Sequence, residues 1–550
     1  MKIYFAYKNR VCGVYCLIFW NISGLNQQQL KNKMMKLILV HKHIMSSVSL
    51  FFMCSFLLVC CRANDTENSL ESSGSEVAFS IHVKGSGYLK VLEESGKFER
   101  SLMLDKSTVL ISRGELGLSD RDQVKGSFYT GETALSLGVK YRVLVYDSSE
   151  KYVTHKDYRV GDDISPVMLN SGHSYTLVLY SYNSQDLPPV SSLEQSGLEE
   201  GYVMFDNSNR DFMYHKEKIK PLLGISNQSD VLLIHQVPSL RVNLVSGIPN
   251  SLITGVDRVL VTPDYKNGKF SLSQGHFTGQ SDLSEGVSLV FANQSFPTQE
   301  LQSAPVFINS GPSSKSSFAA RVMLGGESRG FSFSDFIRLS PGYHHDITLE
   351  LSRCGAYLGA GNSLWRDFMC ANLGANEKSD PFVGSTEVHG SKYQWGSAEP
   401  ILSPGMDQSV SGVISGWNSV VSATGSWNSG SESVPVKSGK DPCPEGYRIP
   451  SRQEWQQVQA HNPILRTGVW TSSPGNYSSG VRLGKYLFLP AIGYRRFNTG
   501  ALESRGSFGI YWSSTELTAS GAYGFVFSSK DALVGFSNRS YGSGVRCIAE

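Results

Sequence analysis

Four cysteines, Cys354, Cys370, Cys443 and Cys547, are the strongest chemical signal beyond the N-terminal segment. They could form disulfides or hold zinc. Common zinc sites need C-x₂-C pairs or paired histidines. Neither is present, and an even cysteine count in an exported chain reads as a disulfide framework. "GESRG" (326–330) places Ser328 in a nucleophile-elbow pattern. That elbow requires a strand, a sharp turn and a helix; the following "FSFSDFIRLSPG" reads as β and turn, so the match is coincidental. His344-His345-Asp346 suggests a metal site, but neighbours on a strand point to opposite faces, which favours a strand-edge reading. No catalytic constellation, metal site or cofactor is expected.

Aromatic residues offer a different chemistry, stacking on sugars or other apolar partners. Trp395, Trp417, Trp427, Trp470, Tyr494, Tyr511 and Trp512 fall in one stretch, and Trp417 and Trp427 each begin a "WNS" triplet. Trp365, Trp455 and Trp512 read as core. The Gly/Ser-rich surroundings of Trp417 and Trp427 suggest a loop, so these two are the candidate ligand contacts, with core filling as the plainer alternative.

The elements that must position these residues follow from the bulk of the chain. At 550 residues the chain holds about 3–4 domains. A net charge of +2 without a long basic run gives no footprint for nucleic acid. Sparse charge with recurring Thr, Tyr, Phe and Val favours β-structure. The stretch from Met34 or Met35, the expected true start, has a basic beginning (Lys36, Lys42) and an apolar run from Val48 to Val59. It reads as an export signal, too short to span a bilayer as a helix. It ends in "LVCC", which resembles a bacterial lipobox, with Cys61 (or Cys60) as the lipidated residue and the outer membrane or cell surface as the destination.

Tryptophan marks the main boundary: none lies between residues 62 and 364, and seven lie from Trp365 to Trp512. Upstream, "KYRVLVYD" (140–147), "SYTLVLYSYN" (174–183), "DVLLIHQVPSLRVNLVS" (230–246) and "HHDITLELS" (344–352) read as strands between turn signals, as in β-sandwiches. Residues 184–215 read as the connection between two of them. The expected division is 1–61 signal segment, 62–75 linker, 76–205 and 206–351 two sandwiches, and 352–550 a separate domain.

"GVKYRVLVYDSSEKYV", "LNSGHSYTLVLYSYNS", "DFMYHKEKI", "LLIHQVPSLRVNLV" and "LSPGYHHDITLEL" occur in that order, and the series resembles the fimbrillin family of type V pilins and accessory subunits. The resemblance covers about 76–351. It implies two transthyretin-like sandwiches and assembly with other fimbrial subunits by donor-strand exchange. A protease cuts the first strand away after an arginine, and a neighbour's C-terminal strand fills the groove. Arg100 and Arg113 are the candidate cleavage sites by position; the alternative is that each is an ordinary loop arginine.

In "DPCPEGYRIPSRQEW" (441–455), Ser451 and Glu454 form a capping box after Pro450, predicting a short helix with Trp455 and Val458 on its apolar face. The capping role accounts for Glu454, which could otherwise be weighed as a general acid. Cys547, in "GSGVRCIAE", is the natural partner for Cys443, leaving Cys354 for Cys370, although spacing does not prove this connectivity. With "LWRDFMCANLGA", "YQWG", "LFLPAIGYRRFNTGAL" and "GIYWSST", these phrases resemble the Fibrobacter succinogenes major paralogous (FISUMP) domain over about 352–550. More distantly they resemble the C-type-lectin-like fold shared with formylglycine-generating enzymes. The fold class expected is mainly β: two transthyretin-like sandwiches, then an α+β C-type-lectin-like domain. The calcium-lectin triplets EPN, QPD and WND are missing near the "WNS" pair. The combined expectation is a non-catalytic fimbrial tip adhesin with a glycan or protein surface ligand. A free surface lipoprotein or a filament anchor is the alternative.

Overall fold

The computed structural model describes residues 74–550 apart from 90–96, 116–128, 206–207, 209, 292–294, 312–314 and 421–426. The segment expected to be an export signal, with Met34, Met35, Cys60 and Cys61, lies outside the described residues. The fold is mainly β.

The chain enters as β1 (Glu76–Leu89) and makes a hairpin, β2 (Lys97–Met103) and β3 (Thr108–Glu115). It continues through β4 (Tyr129–Thr133), β5 (Lys140–Asp147), β6 (Tyr152–Arg159), β7 (Val167–Asn170) and β8 (Tyr175–Ser181). Then come β9 (Tyr202–Phe205), β10 (Met213–Ile219), β11 (Asn227–His235) and β12 (Ser239–Ser246). One sheet runs β4-β1-β11-β10-β8-β5-β6, with β7 also on β1. β5 and β8 read as unbroken apolar runs because both faces of this sheet are covered. Val143, Val145, Leu177 and Leu179 join Phe79 and Ile81 in one core. Leu144, Tyr146, Val178 and Tyr180 join a second core on the other face.

That second face is covered by β9 together with β14 (Tyr265–Ser271) and β15 (His276–Leu283), which follow β13 (Ile253–Thr262). The second sandwich has one sheet containing β12, β21 (His344–Arg353), β3 and β2 in that order. The opposing sheet carries β13 beside the strands Lys315–Leu324 and Glu327–Arg338. The expected division at 205/206 therefore does not run between sheets. The β2–β3 hairpin belongs to the second sandwich, while β10, β11, β14 and β15 serve the first. Strand pairing joins segments distant in sequence, and no local pattern marks where a hairpin will dock. The segment expected as a connection holds β9 and is tied down: Glu194, 3% exposed, accepts from the Tyr180 hydroxyl at 2.5 Å, and its carbonyl accepts from Tyr146 at 2.6 Å.

Two sequence motifs resolve as ordinary structure. Ser328 lies at the start of the strand Glu327–Arg338, entered by a hairpin turn and not by an elbow into a helix. In β21, His345 is buried while His344 and Asp346 share the other face, 3.3 Å apart, as strand alternation requires. No metal-binding group of His, Cys, Asp or Glu occurs among the described residues.

The C-terminal domain begins where β21 ends. Its largest sheet contains Phe508–Glu516, Gly521–Ser528 and Ala532–Asn538, beside the helices α1 (Pro404–Ser409) and α2 (Arg452–His461). The predicted capping box is present: Ser451 Oγ accepts from the Glu454 amide, and Glu454 Oε2 accepts from the Ser451 amide. Arg448 adds a bidentate pair to Glu454 at 2.6 and 2.7 Å. Trp455 and Val458 are fully buried. The disulfides are Cys354–Cys370 and Cys443–Cys547. On the chain-entropy account, losing the longer bridge, of sequence separation 104, costs about 5 kcal/mol, and losing the shorter costs about 3 kcal/mol. Calorimetry on Cys443→Ala/Cys547→Ala and Cys354→Ala/Cys370→Ala should give that order; equal losses would mean that local strain outweighs loop closure.

Candidate functional site

The two places where function was expected are the first strand with its hairpin and the aromatic surface of the C-terminal domain. β1 is an inner strand. It pairs in parallel with β11 from Phe79↔Asn227 to Gly87↔Ile234, while β7 and β4 pair its other edge. Phe79 and Ile81 point into the core at 5% and 0% exposure. Gly85 lies so close to β4 that a Cβ there would meet the Thr133 carbonyl oxygen at 2.4 Å. β1 is thus an extended segment with apolar side chains two residues apart facing the core and a glycine further along where the neighbouring strand comes close.

Arg100 and Arg113 sit on the two strands of one hairpin, where Arg100 faces Ser112 and Glu99 faces Arg113. Neither is on a loop. Arg113 donates to Glu99 at 2.7 Å and to Glu350 of β21 at 2.6 Å. Glu350 is 4% exposed and also accepts from Lys485 at 2.6 Å and from the Tyr486 hydroxyl, both in the C-terminal domain. Burial alone would raise the Glu350 carboxyl, but the hydrogen bonds from Lys485, Tyr486 and Arg113 outweigh it and hold it below the ordinary range. Its stabilisation is therefore complete above the ordinary glutamate value, about 4.3, and is lost as pH falls through the depressed folded value.

The C-terminal domain holds the hairpin at further points. Asp380 accepts from the Ser101 amide at 2.8 Å, the nitrogen of the Arg100–Ser101 bond. The amides of Cys354 and Cys370 donate to the Ser107 and Lys106 carbonyls, each at 2.7 Å. Val109 and Ile111 pack with Phe382, Val388 and Phe488. β3 is thus pressed between two cores, since Leu110 faces the second sandwich. A protease needs several residues free of their ladder, so both arginine bonds should resist. An arginine-specific protease on the native chain is expected to cut after Arg100 and Arg113 at least tenfold more slowly than in an Asp380→Ala/Glu350→Gln variant, read by mass mapping. Equal rates would mean that the contacts do not restrain the hairpin.

The aromatic pair divides. Trp427, weighed as a loop ligand contact against core filling, is 1% exposed and fills the core. Its ring packs against Trp395 at 5.3 Å between centroids, and its indole nitrogen donates to the Ser397 carbonyl at 3.1 Å. The ring is thus buried, with no free face for a ligand. Trp417 is half-buried, donates to the Phe497 carbonyl at 3.1 Å and lies over Gly500, where a Cβ would come within 2.3 Å of the ring.

What residue pattern did not reveal is a buried charge cluster around α1. Asp407 accepts from Lys392 and Arg495, each at 2.8 Å, and its carbonyl accepts from Arg495 and Arg505. Burial alone would raise Asp407, but Lys392 and Arg495 outweigh it and hold it below the usual carboxylate range. Burial likewise pushes the Lys392 ammonium down, to about 8. The partners lie 15 to 98 residues away, so "PGMDQSV" carries no local sign of them.

No protein-family model matches the chain, and no curated protein matches it. Among solved structures, a candidate cell adhesion protein from Bacteroides fragilis aligns over 53% of this chain and 97% of its own, with 11% identity and a TM-score of 0.31. One from Bacteroides ovatus aligns over 51% and 96%, with 10% identity and a TM-score of 0.29. A fimbrial assembly protein from Parabacteroides distasonis aligns over 50% and 95%, with 12% identity and a TM-score of 0.26.

Proposed function

We propose that this chain is a non-catalytic, lipid-anchored fimbrial subunit of the fimbrillin type that caps a filament. It accepts a shaft subunit's donor strand in the slot now held by β1 and presents its C-terminal, C-type-lectin-like domain to a surface ligand. One observation carries this reading. The residues after β21 do not extend as a free strand; they fold into a domain closed by two disulfides, in which Ile548–Ala549 pairs with Tyr447–Arg448. A subunit built this way can receive a strand through β-augmentation, but its last sandwich strand leads into a globule and is not available to a neighbour. The bonded state of Cys443 and Cys547 also favours a non-catalytic domain, because a formylglycine-generating type of chemistry needs free thiols.

A second reading, a filament anchor or free-standing surface lipoprotein with its N-terminal strand uncut, is favoured by the hold on Arg100 and Arg113. Immunogold microscopy of intact cells with antibody to 440–550 separates the two. Gold at filament ends supports the cap. Gold confined to the outer membrane of cells that carry filaments overturns it in favour of the second reading.

A further inference from the structure

The loop between β10 and β11, "KPLLGIS" (220–226), is apolar where a loop is ordinarily polar. Leu222, Leu223 and Ile225 are 44%, 57% and 59% exposed. The loop is braced by the side chain of Asn227, the first residue of β11. Its Oδ1 accepts from the Leu222 amide at 2.9 Å, and its Nδ2 donates to the Leu222 and Ile225 carbonyls at 3.0 and 3.4 Å. Gly224 makes the turn at φ +81°. A loop fixed in this way holds its apolar side chains in water, and such a cluster marks a surface that meets a partner. Lys218 and Lys220, both exposed, lead into it.

The nature of that partner follows from where the chain enters the sandwich. The start of β1 pairs with β7 at Glu76↔Asn170 and with β11 at Phe79↔Asn227. Two hydrogen bonds lead from there to the loop. The Ser171 amide donates to the Ser75 carbonyl at 2.9 Å, and the next amide, of Gly172, donates to the Pro221 carbonyl at 2.8 Å. The incoming chain and the apolar loop therefore share one end of the first sandwich. Cys61 stands 13 residues before Gly74, at most about 45 Å along an extended chain. β5 finishes at this same end, where Asp147 pairs with Tyr175 and Tyr175 with Ile219. Leu137, 78% exposed and just ahead of the start of β5, is at the opposite end.

We propose that Leu222, Leu223 and Ile225 insert into the surface of the bilayer that holds the N-terminal anchor, seating the first sandwich end-on against the lipid. The three side chains enter the headgroup and acyl boundary, and Lys218 and Lys220 meet phosphate groups, as in an interfacial anchor. The proposal deepens, and rests on, the lipid-anchored part of the functional reading, and it applies while β1 is joined to the N-terminal segment. The full chain is purified from cell membranes and reconstituted with vesicles of phosphatidylethanolamine and phosphatidylglycerol. A genetically encoded, environment-sensitive fluorescent amino acid replaces Leu223 or, as control, Leu137. On vesicles, emission from 223 should shift to the blue, and brominated acyl chains should quench it at least threefold more strongly than emission from 137. With the fluorophore at 225, Leu222→Ser/Leu223→Ser should remove most of that quenching at an unchanged melting temperature, since both side chains are exposed. Equal quenching at 223 and 137, none at 223, or a chain that does not join the vesicles would each overturn the proposal. A blue shift at 223 without vesicles would also overturn it, because protein then covers the loop. That cover is a second copy if the shift grows with concentration, and the chain's own N-terminal segment if it does not. Acylation of Cys61 is read separately, from the mass of the N-terminal peptide, so failure of the anchor and failure of the loop are distinguishable.

Discussion

Asp407→Asn is expected to destabilise the C-terminal domain by about 3–5 kcal/mol, the usual cost of removing one partner from a buried ion pair. The substitution keeps the side-chain shape and deletes only the charge that faces Lys392 and Arg495. Those two cations and Arg505 would then be buried with no anion against them. The deficit has a pH signature. The Lys392 ammonium is already depressed to about 8, below its ordinary value of about 10.4, and loses further ground without Asp407. With the folded value below the unfolded one, the unfolded chain binds more protons across that window, so stability rises with pH. Urea unfolding of the variant should therefore show part of the loss recovered as pH rises toward about 10, with the recovery beginning below pH 8, where the parent gains little. A loss below about 1 kcal/mol, or no recovery in alkali, would mean that the carbonyl partners alone satisfy the cluster.

Removing β1 should have a larger effect. The strand is an inner one, and Phe79 and Ile81 contribute roughly 3–5 and 2–5 kcal/mol as buried side chains. Together with the ladders to β11, β7 and β4 this reaches the whole stability of an ordinary domain, about 5–15 kcal/mol. A chain beginning at Lys97 should leave the first sandwich unfolded, with exposed tyrosines and rapid proteolysis inside β5 and β8. Adding a synthetic Glu76–Leu89 peptide should restore protection, while a peptide with Gly85→Val should not, because its side chain meets the Thr133 carbonyl. A truncated chain that folds alone would show that β1 is no replaceable occupant of a slot, and would remove the structural basis for strand acceptance.

How much of this was legible depends on how local each cause is. The helix at Arg452–His461 was readable because its cap, its stop and its apolar face all fall within a dozen residues. The cysteine pairing was readable only in part: four cysteines beyond the expected signal segment favoured disulfides, but their spacing left the partners open until the structure paired them. β5 and β8 announced themselves through composition. The place of the β2–β3 hairpin was not readable, since its partner β21 lies more than 200 residues on. Trp427 was ambiguous for a related reason: Gly and Ser around a tryptophan suggest an open loop, and its contact with Trp395, 32 residues away, has no local signature. The Asp407 cluster left no trace because its members share no local pattern.

The traffic of hairpins between the sandwiches bears on mechanics. A pull on the C-terminal domain reaches the second sandwich through the chain at Arg353, the last residue of β21, and through the contacts on the β2–β3 hairpin. β21 is laddered along its length on both flanks, in parallel to β12 and antiparallel to β3. Traction along the strand axis loads these hydrogen bonds together instead of opening them one at a time. The interlocked sandwiches also deny the load a simple plane of parting. Tension on the C-terminal domain is thus met in shear.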